Sequence, residues 1–138
     1  MEIQRPEDVI YPTTEEHFKL FQRECLYWIK KLSLVNWEWF FTQATMEDRA
    51  IVEFHLIDRI ATITLSKTWY NVEPTCKRIC RVAYHEVLEV LLGSLEYIAI
   101  SKIGLGEHGD ALYEGEIHKI IRTLENTHFV DDYKNRMK

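Results

Sequence analysis

The chain has 138 residues, of which 46% are hydrophobic and 12% aromatic, enough apolar side chain for one ordinary globular domain with a core. Its formal net charge of -5, from 22 acidic against 17 basic residues, excludes a global attraction to nucleic acid and leaves only a local basic groove as a route to one. Met1 to Pro12 carries Glu2, Arg5, Glu7 and Asp8 where a signal peptide needs an apolar core, and the most apolar stretch, Val82 to Ile103, is broken by His85, Glu86, Glu89, Gly93, Glu96 and Lys102. Neither export nor a membrane span is expected, and a cytoplasmic chain is.

The first element is a helix from about Thr14 to Leu32, announced by Thr13 and Glu16 as a capping box and carried by Phe18, Phe21, Cys25, Trp28, Ile29 and Leu32 at helical spacing. Asn36 to Thr42 holds Trp37, Trp39, Phe40 and Phe41, too aromatic and too short for a helix, and reads as a buried strand. Two alternating segments follow. Ala50 to Leu56 sets Ala50, Val52, Phe54 and Leu56 against Ile51, Glu53 and His55. Arg59 to Ser66 sets Ile60, Thr62 and Thr64 against Ala61, Ile63 and Leu65, and Ile57 with Asp58 forms the tight turn between the two.

Pro74 precedes a long apolar pattern from Cys76 to Ile100, a helix of about seven turns. Gly104, Gly106 and Gly109 mark a loop, Ala111 to Thr127 returns to helical spacing, and Asp131 to Lys138 reads as a polar tail. No internal repeat or low-complexity segment is present. The three cysteines, Cys25, Cys76 and Cys80, read as buried thiols of a reducing compartment, since no second Cys/His pair stands at zinc-ribbon spacing. The four tryptophans read as core.

On a wheel of about 100° per residue, His85, Glu89, Glu96 and Arg78 of the long helix share a narrow polar sector, with Glu86 and Gly93 close by. Cys80, Ala83, Val87, Leu88, Val90, Leu91, Leu95 and Ile98 fill the remaining, buried arc. His85 and Glu89, four residues apart, can present an imidazole nitrogen and a carboxylate oxygen to one cation, with Glu86 beside it as proton acceptor. That is the layout of H-E-x-x-H zinc sites, with a Glu in place of the second His. The alternative on spacing alone is a solvated stripe on an amphipathic helix.

In the last helix Leu112, Tyr113, Ile117, Ile120, Ile121 and Leu124 define the expected buried arc, and Glu116 falls inside it, whereas Glu114, His118 and Glu125 project from the opposite side. A carboxylate within an apolar arc needs a partner, so Glu116 is the expected third ligand. A buried salt bridge to Arg78 or Arg81 is the alternative. His108, in the glycine-rich loop, is an auxiliary candidate for a carbonyl or oxyanion, with plain solvation as its alternative. His17, His55 and His128 read as solvated.

Four segments together give the chain its resemblance to a known group. They are Phe18 to Leu32 with its run Phe21-Gln-Arg-Glu-Cys-Leu-Tyr-Trp-Ile29, the strand Arg59 to Ser66 ending before Trp69, His85-Glu86-Val87-Leu88-Glu89-Val90-Leu91-Leu92, and Glu116-Ile117-His118 through Leu124-Glu125-Asn126. From about Thr14 to Thr127 the chain resembles small phage-encoded, metallopeptidase-like zincins, related in plan to the minigluzincins and SprT-type proteases.

The resemblance implies one metallopeptidase-like domain over residues 1–138, with 1–12 as an N-terminal extension and 129–138 as the polar tail. The fold class it implies is α+β and zincin-like: an N-terminal helix, a small antiparallel-containing sheet of about three strands, an active-site helix and a C-terminal helix. Its strand before the active helix is a sheet edge that pairs with extended peptide, which assigns Ile60, Thr62 and Thr64 to substrate binding.

Glu86 takes the role of the motif's catalytic Glu, and His85, Glu89 and Glu116 those of the metal ligands. Glu89 departs from the family's His. A second carboxylate cancels more of a dication's charge and moves preference from zinc toward manganese, or toward no metal at all. Two functions stand side by side. One is a metal-dependent peptidase acting on an extended peptide or protein in the cytoplasm, the host's if the chain is phage encoded. The other is a catalytically inactive zincin-fold module that binds a host or phage partner.

Overall fold

The computed structural model describes residues 7–98 and 106–138, except the side chains of residue 94 and residues 106–113. The fold is α+β. By Cα proximity the chain divides into two compact units, Met1–Val87 and Leu88–Lys138, a division that falls inside one continuous helix.

The first unit opens with β1 (Ile10–Pro12) and α1 (Glu15–Lys31). Thr14 caps α1 through a reciprocal box with His17, one residue beyond the Thr13 and Glu16 box expected. Glu15 and Glu16 sit in the first turn and Lys30 and Lys31 in the last, each sign at the helix end where the macrodipole favours it. Phe21, Cys25, Trp28 and Ile29 form the buried stripe. The helix ends in a Schellman arrangement: the Leu34 N–H donates to the Ile29 carbonyl (2.8 Å) and the Ser33 N–H to that of Lys30 (3.2 Å). Ser33 occupies the left-handed position this motif needs, with φ 60°.

β2 (Glu38–Ala44), β3 (Ala50–His55) and β4 (Ile60–Ser66) form a three-stranded sheet in the order β2-β4-β3. β4 pairs parallel with β2 from Glu38↔Ile60 to Ala44↔Ser66, and antiparallel with β3 from Ala50↔Leu65 to His55↔Ile60. The alternation read in β4 holds: Ala61, Ile63 and Leu65 are buried, while Ile60, Thr62 and Thr64 face the other side. On that side the Thr42 and Thr64 hydroxyls share a hydrogen bond of 2.8 Å, and Phe40 is exposed.

The assignment of β4 as an edge is corrected. Its backbone groups bond to strands on both sides, so Ile60, Thr62 and Thr64 lie on the centre of the sheet and a peptide cannot add to them. The edges of this three-stranded sheet belong to β2 and β3.

Residues 8–12, just before α1, are tied down. β1 pairs antiparallel with β5 (Thr68–Tyr70), and Asn71, at φ 65°, ties it down by accepting from the Val9 N–H (2.9 Å) and donating to Asp8 (3.0 Å). Of the tryptophans, Trp28 and Trp69 are buried, whereas Trp37 and Trp39 are partly exposed, with Trp37 against both Trp39 and Phe54. Cys25 and Cys80 are buried as expected, but Cys76 is exposed at the start of α2 (Cys76–Ile98).

The second unit holds the end of α2, α3 (Gly106–Leu124), a π-helical turn (Glu125–Phe129) and α4 (Val130–Arg136). Gly106 and Gly109 are therefore helical, not loop, while Gly104 lies outside the described residues. The polar tail is a helix too. The Asp132 carboxylate meets the Arg136 guanidinium at 2.6 Å across one turn, and Phe129 stacks on Tyr133. The Thr123 and Thr127 hydroxyls donate to the Lys119 and Thr123 carbonyls four residues back. Such bonds compete for the ladder's acceptors and accompany the widened turn. Leu91, Leu95 and Ile98, expected in the buried arc of α2, are exposed.

Among the described residues no helix is long and apolar enough to cross a membrane.

Candidate metal centre

α2 supplies the first two side chains. His85 and Glu89 are both half-buried, one helical turn apart, so an imidazole and a carboxylate leave the helix on one face. The third comes from α3, where His118 Nε2 lies 3.5 Å from Glu89 Oε1. One donor atom from each of His85, Glu89 and His118 lies within 4.8 Å of the other two, the one such group of His, Cys, Asp or Glu among the described residues.

Glu116 does not join them. Its side chain is 55% exposed and its carboxylate takes the Lys119 ammonium at 2.9 Å, one turn along the solvent side of α3. The cause lies in the phase of the helix. The buried stripe runs through Ile117, Ile121, Glu125 and Phe129, while Glu116, Ile120 and Thr123 share the exposed side. Counting Ile120 as core rotated the expected arc toward Glu116 and away from His118. With Ile120 set aside, the four-residue spacing of Ile117, Ile121 and Glu125 puts position 118 at the border of the buried face, which was the readable signal.

Glu86 is buried at 5% exposure. It faces α1: the charges of Glu86, Glu24 and Cys80 all act on Cys25, whose thiol is pushed well above its ordinary value, first by burial and then by those neighbours. Two carboxylates, Glu24 and Glu86, thus lie in the interior of the first unit. His108 falls on α3, and its side chain lies outside the described residues.

The donors suit a divalent cation in kind and spacing. Two ligands about 2.1 Å from a tetrahedral ion stand roughly 3.4 Å apart, close to the approach of His118 to Glu89. Two imidazoles and one carboxylate form a borderline set that zinc accepts readily, where one imidazole and two carboxylates leaned toward manganese. The same approach also forms a hydrogen-bonded ion pair when the imidazole is protonated.

No family model, curated protein or solved structure matches the chain.

The surroundings are acidic. Glu96, two turns beyond Glu89 on α2, has its carboxyl pushed up by partial burial and by the charges of Glu114 and Glu89, with His118 acting in the opposite sense. An excess of negative charge beside the donor group favours an incoming cation and disfavours an anionic ligand.

Proposed function

We propose that the chain is a metal-dependent hydrolase of the peptidase type on a zincin-like plan, with His85, Glu89 and His118 as metal ligands and Glu86 as general base. The observation that carries this reading is the meeting of two imidazoles and one carboxylate, with a buried Glu next in sequence to the first of them. A divalent cation, zinc before manganese, would supply Lewis acidity and make a water bound to it a better acid.

The rest falls to the chain. His85 and Glu89 hold their donors from one rigid helical turn. His118 completes the set from α3. Glu86 takes the proton from the attacking water and returns it to the leaving amine. The substrate is an extended peptide or protein segment, which has the open edges of β2 and β3 to pair with. The resemblance to phage-encoded zincins assigns the setting, a host cell's cytoplasm.

Metal analysis of protein purified without chelator, combined with proteolysis of an unfolded protein substrate, tests the proposal. One equivalent of zinc and cleavage that drops at least about 100-fold in Glu86→Gln, with the metal retained, are expected. Cleavage that survives Glu86→Gln sinks the mechanism.

A second reading, a non-catalytic binding module on the same plan, is favoured by the burial of Glu86 beside Cys25, since a base must reach water. It predicts metal uptake without any hydrolysis.

A further inference from the structure

We infer that β2 is a docking edge for a second copy of the chain, the two β2 strands pairing antiparallel about a two-fold axis at Phe41 and joining their three-stranded sheets into one. The direction of the backbone groups is the first reason. The Glu38 N–H donates to the Arg59 carbonyl at 2.8 Å and the Ala44 carbonyl accepts from the Lys67 N–H at 2.9 Å, so both residues turn their backbone toward β4. In a parallel ladder every second residue does the same, which adds Phe40 and Thr42. The N–H and C=O groups of Trp39, Phe41 and Gln43 therefore point away from β4, and among the described residues no strand meets them there. The strand is also held from its inner face. Trp39 Nε1 donates to the Leu34 carbonyl at 3.1 Å and Gln43 Nε2 to Thr13 Oγ1 at 2.9 Å, so the edge is ordered before any partner arrives.

Nothing in β2 blunts this edge. From Glu38 to Ala44 it has no proline, lysine or arginine, and its single charge stands at the first residue. Phe40 is 48% exposed on the outer face. Trp39 and Phe41 stay partly exposed on the inner face, where their β4 neighbours Ala61 and Ile63 are fully buried.

The edge also complements itself. With Phe41 on the axis, Trp39 lies opposite Gln43 and Phe41 opposite its own copy, so each outward N–H of one chain meets an outward C=O of the other. On the outer face Phe40 lies opposite Thr42, the two Phe40 rings are diagonal neighbours, and Glu38 lies opposite Ala44, so no like charges meet. Moving the axis to Phe40 or Thr42 would place Gln43 or Trp39 beyond the end of the other strand. β3 does not match itself in this way. Glu47, Asp48 and Arg49 precede it, and a two-fold pairing about Val52 would set Glu53 opposite Ile51 with the two carboxylates on the diagonal. A second copy thus fits β2, which leaves β3 for the peptide substrate of the proposed hydrolase.

Sedimentation equilibrium of the full chain, combined with amide exchange followed by NMR, tests the pairing. Between about 10 and 500 µM the mass is expected to rise to twice the 16.5 kDa of one chain and no further. Over the same range the Trp39, Phe41 and Gln43 amides are expected to gain at least about tenfold in protection, and those of Phe40 and Thr42, already bonded to β4, less than about threefold. Phe40→Lys brings two ammonium groups onto the diagonal at an exposed site and is expected to raise the dissociation constant at least about tenfold. A monomer throughout the range overturns the proposal, including one whose edge amides become protected only when an extended peptide is added. So does a dimer in which the three amides stay unprotected, a dimer that Phe40→Lys leaves unchanged, or a mass that climbs past two copies. Should Phe40→Lys fail to fold, the alternating exchange pattern of the wild type decides alone.

Discussion

His118 Nε2 stands 3.5 Å from Glu89 Oε1, while Glu116, two residues earlier on the same helix, turns outward to Lys119. The two side chains are about 200° apart around α3, so only one can face α2's polar stripe. Their separation yields the sharpest test of the candidate centre. His118→Ala should weaken zinc binding at least about 100-fold, beyond what a change outside the ligand shell usually costs, and Glu116→Ala by less than about threefold. Competition with a chromophoric chelator measures both. Equal effects, or a larger one at Glu116, would remove His118 from the set.

If the donors act as a set, their composition should matter more than their order. Exchanging the two across the contact, Glu89→His with His118→Glu, keeps two imidazoles and one carboxylate. The double variant is expected to hold zinc within about tenfold of the wild type, and His118→Glu alone to lose more and shift toward manganese. Calorimetric titration with each metal distinguishes the cases. A double variant no better than the single one argues against a shared ion.

The thiols make a separate prediction. Cys76 is exposed, whereas Cys25 and Cys80 are buried and the Cys25 thiol is held protonated by burial and by the Glu86 and Glu24 charges. A disulfide reagent at pH 8 should modify one thiol rapidly and the other two only after denaturation. Because Cys25 keeps its proton in the fold but loses it in the unfolded chain above about pH 8.5, the native state binds more protons there. Stability should consequently fall as pH rises through that range, less steeply in Cys25→Ala. Denaturant melts from pH 7 to 10 follow both. Rapid labelling of all three thiols would show that the first unit opens readily.

Ser33 holds a left-handed backbone at φ 60° just past α1, a conformation that costs a residue with a Cβ about 1 kcal/mol more than glycine. Ser33→Gly should raise stability by up to about 0.5 kcal/mol, after allowing for glycine's extra freedom when unfolded. A shift of the urea midpoint at constant slope is the readout; a decrease would mean that Ser33 makes contacts that outweigh its backbone strain.

Local pattern foretold what local pattern controls. The alternation in β4 assigned Ala61, Ile63 and Leu65 to the core side, and the helical spacing of Phe21, Cys25, Trp28 and Ile29 assigned the inner stripe of α1. Pairing partners are a different matter. A period of two states which face a residue occupies but not which strand lies beside it, so nothing in Arg59 to Ser66 betrayed the parallel ladder to β2 that makes β4 central. The centre was half legible. His85 and Glu89 follow from spacing on one helix, whereas the third donor depended on the phase of a second helix whose apolar residues, Ile120 among them, do not all point inward.

The wide turn at Glu125–Phe129 resets that phase. Ile117, Ile121, Glu125 and Phe129 are all buried at strict four-residue intervals, yet in an uninterrupted α-helix the last would lie about 120° around the axis from the first. The extra residue per revolution cancels the drift and returns Phe129 to the inner side. Deleting one residue within the turn would rotate everything beyond it by roughly a quarter to a third of a circle. Phe129 and Tyr133 would swing off their present bearing while the ladder gained regular bonds, so the C-terminal helix is aimed by a single surplus amino acid.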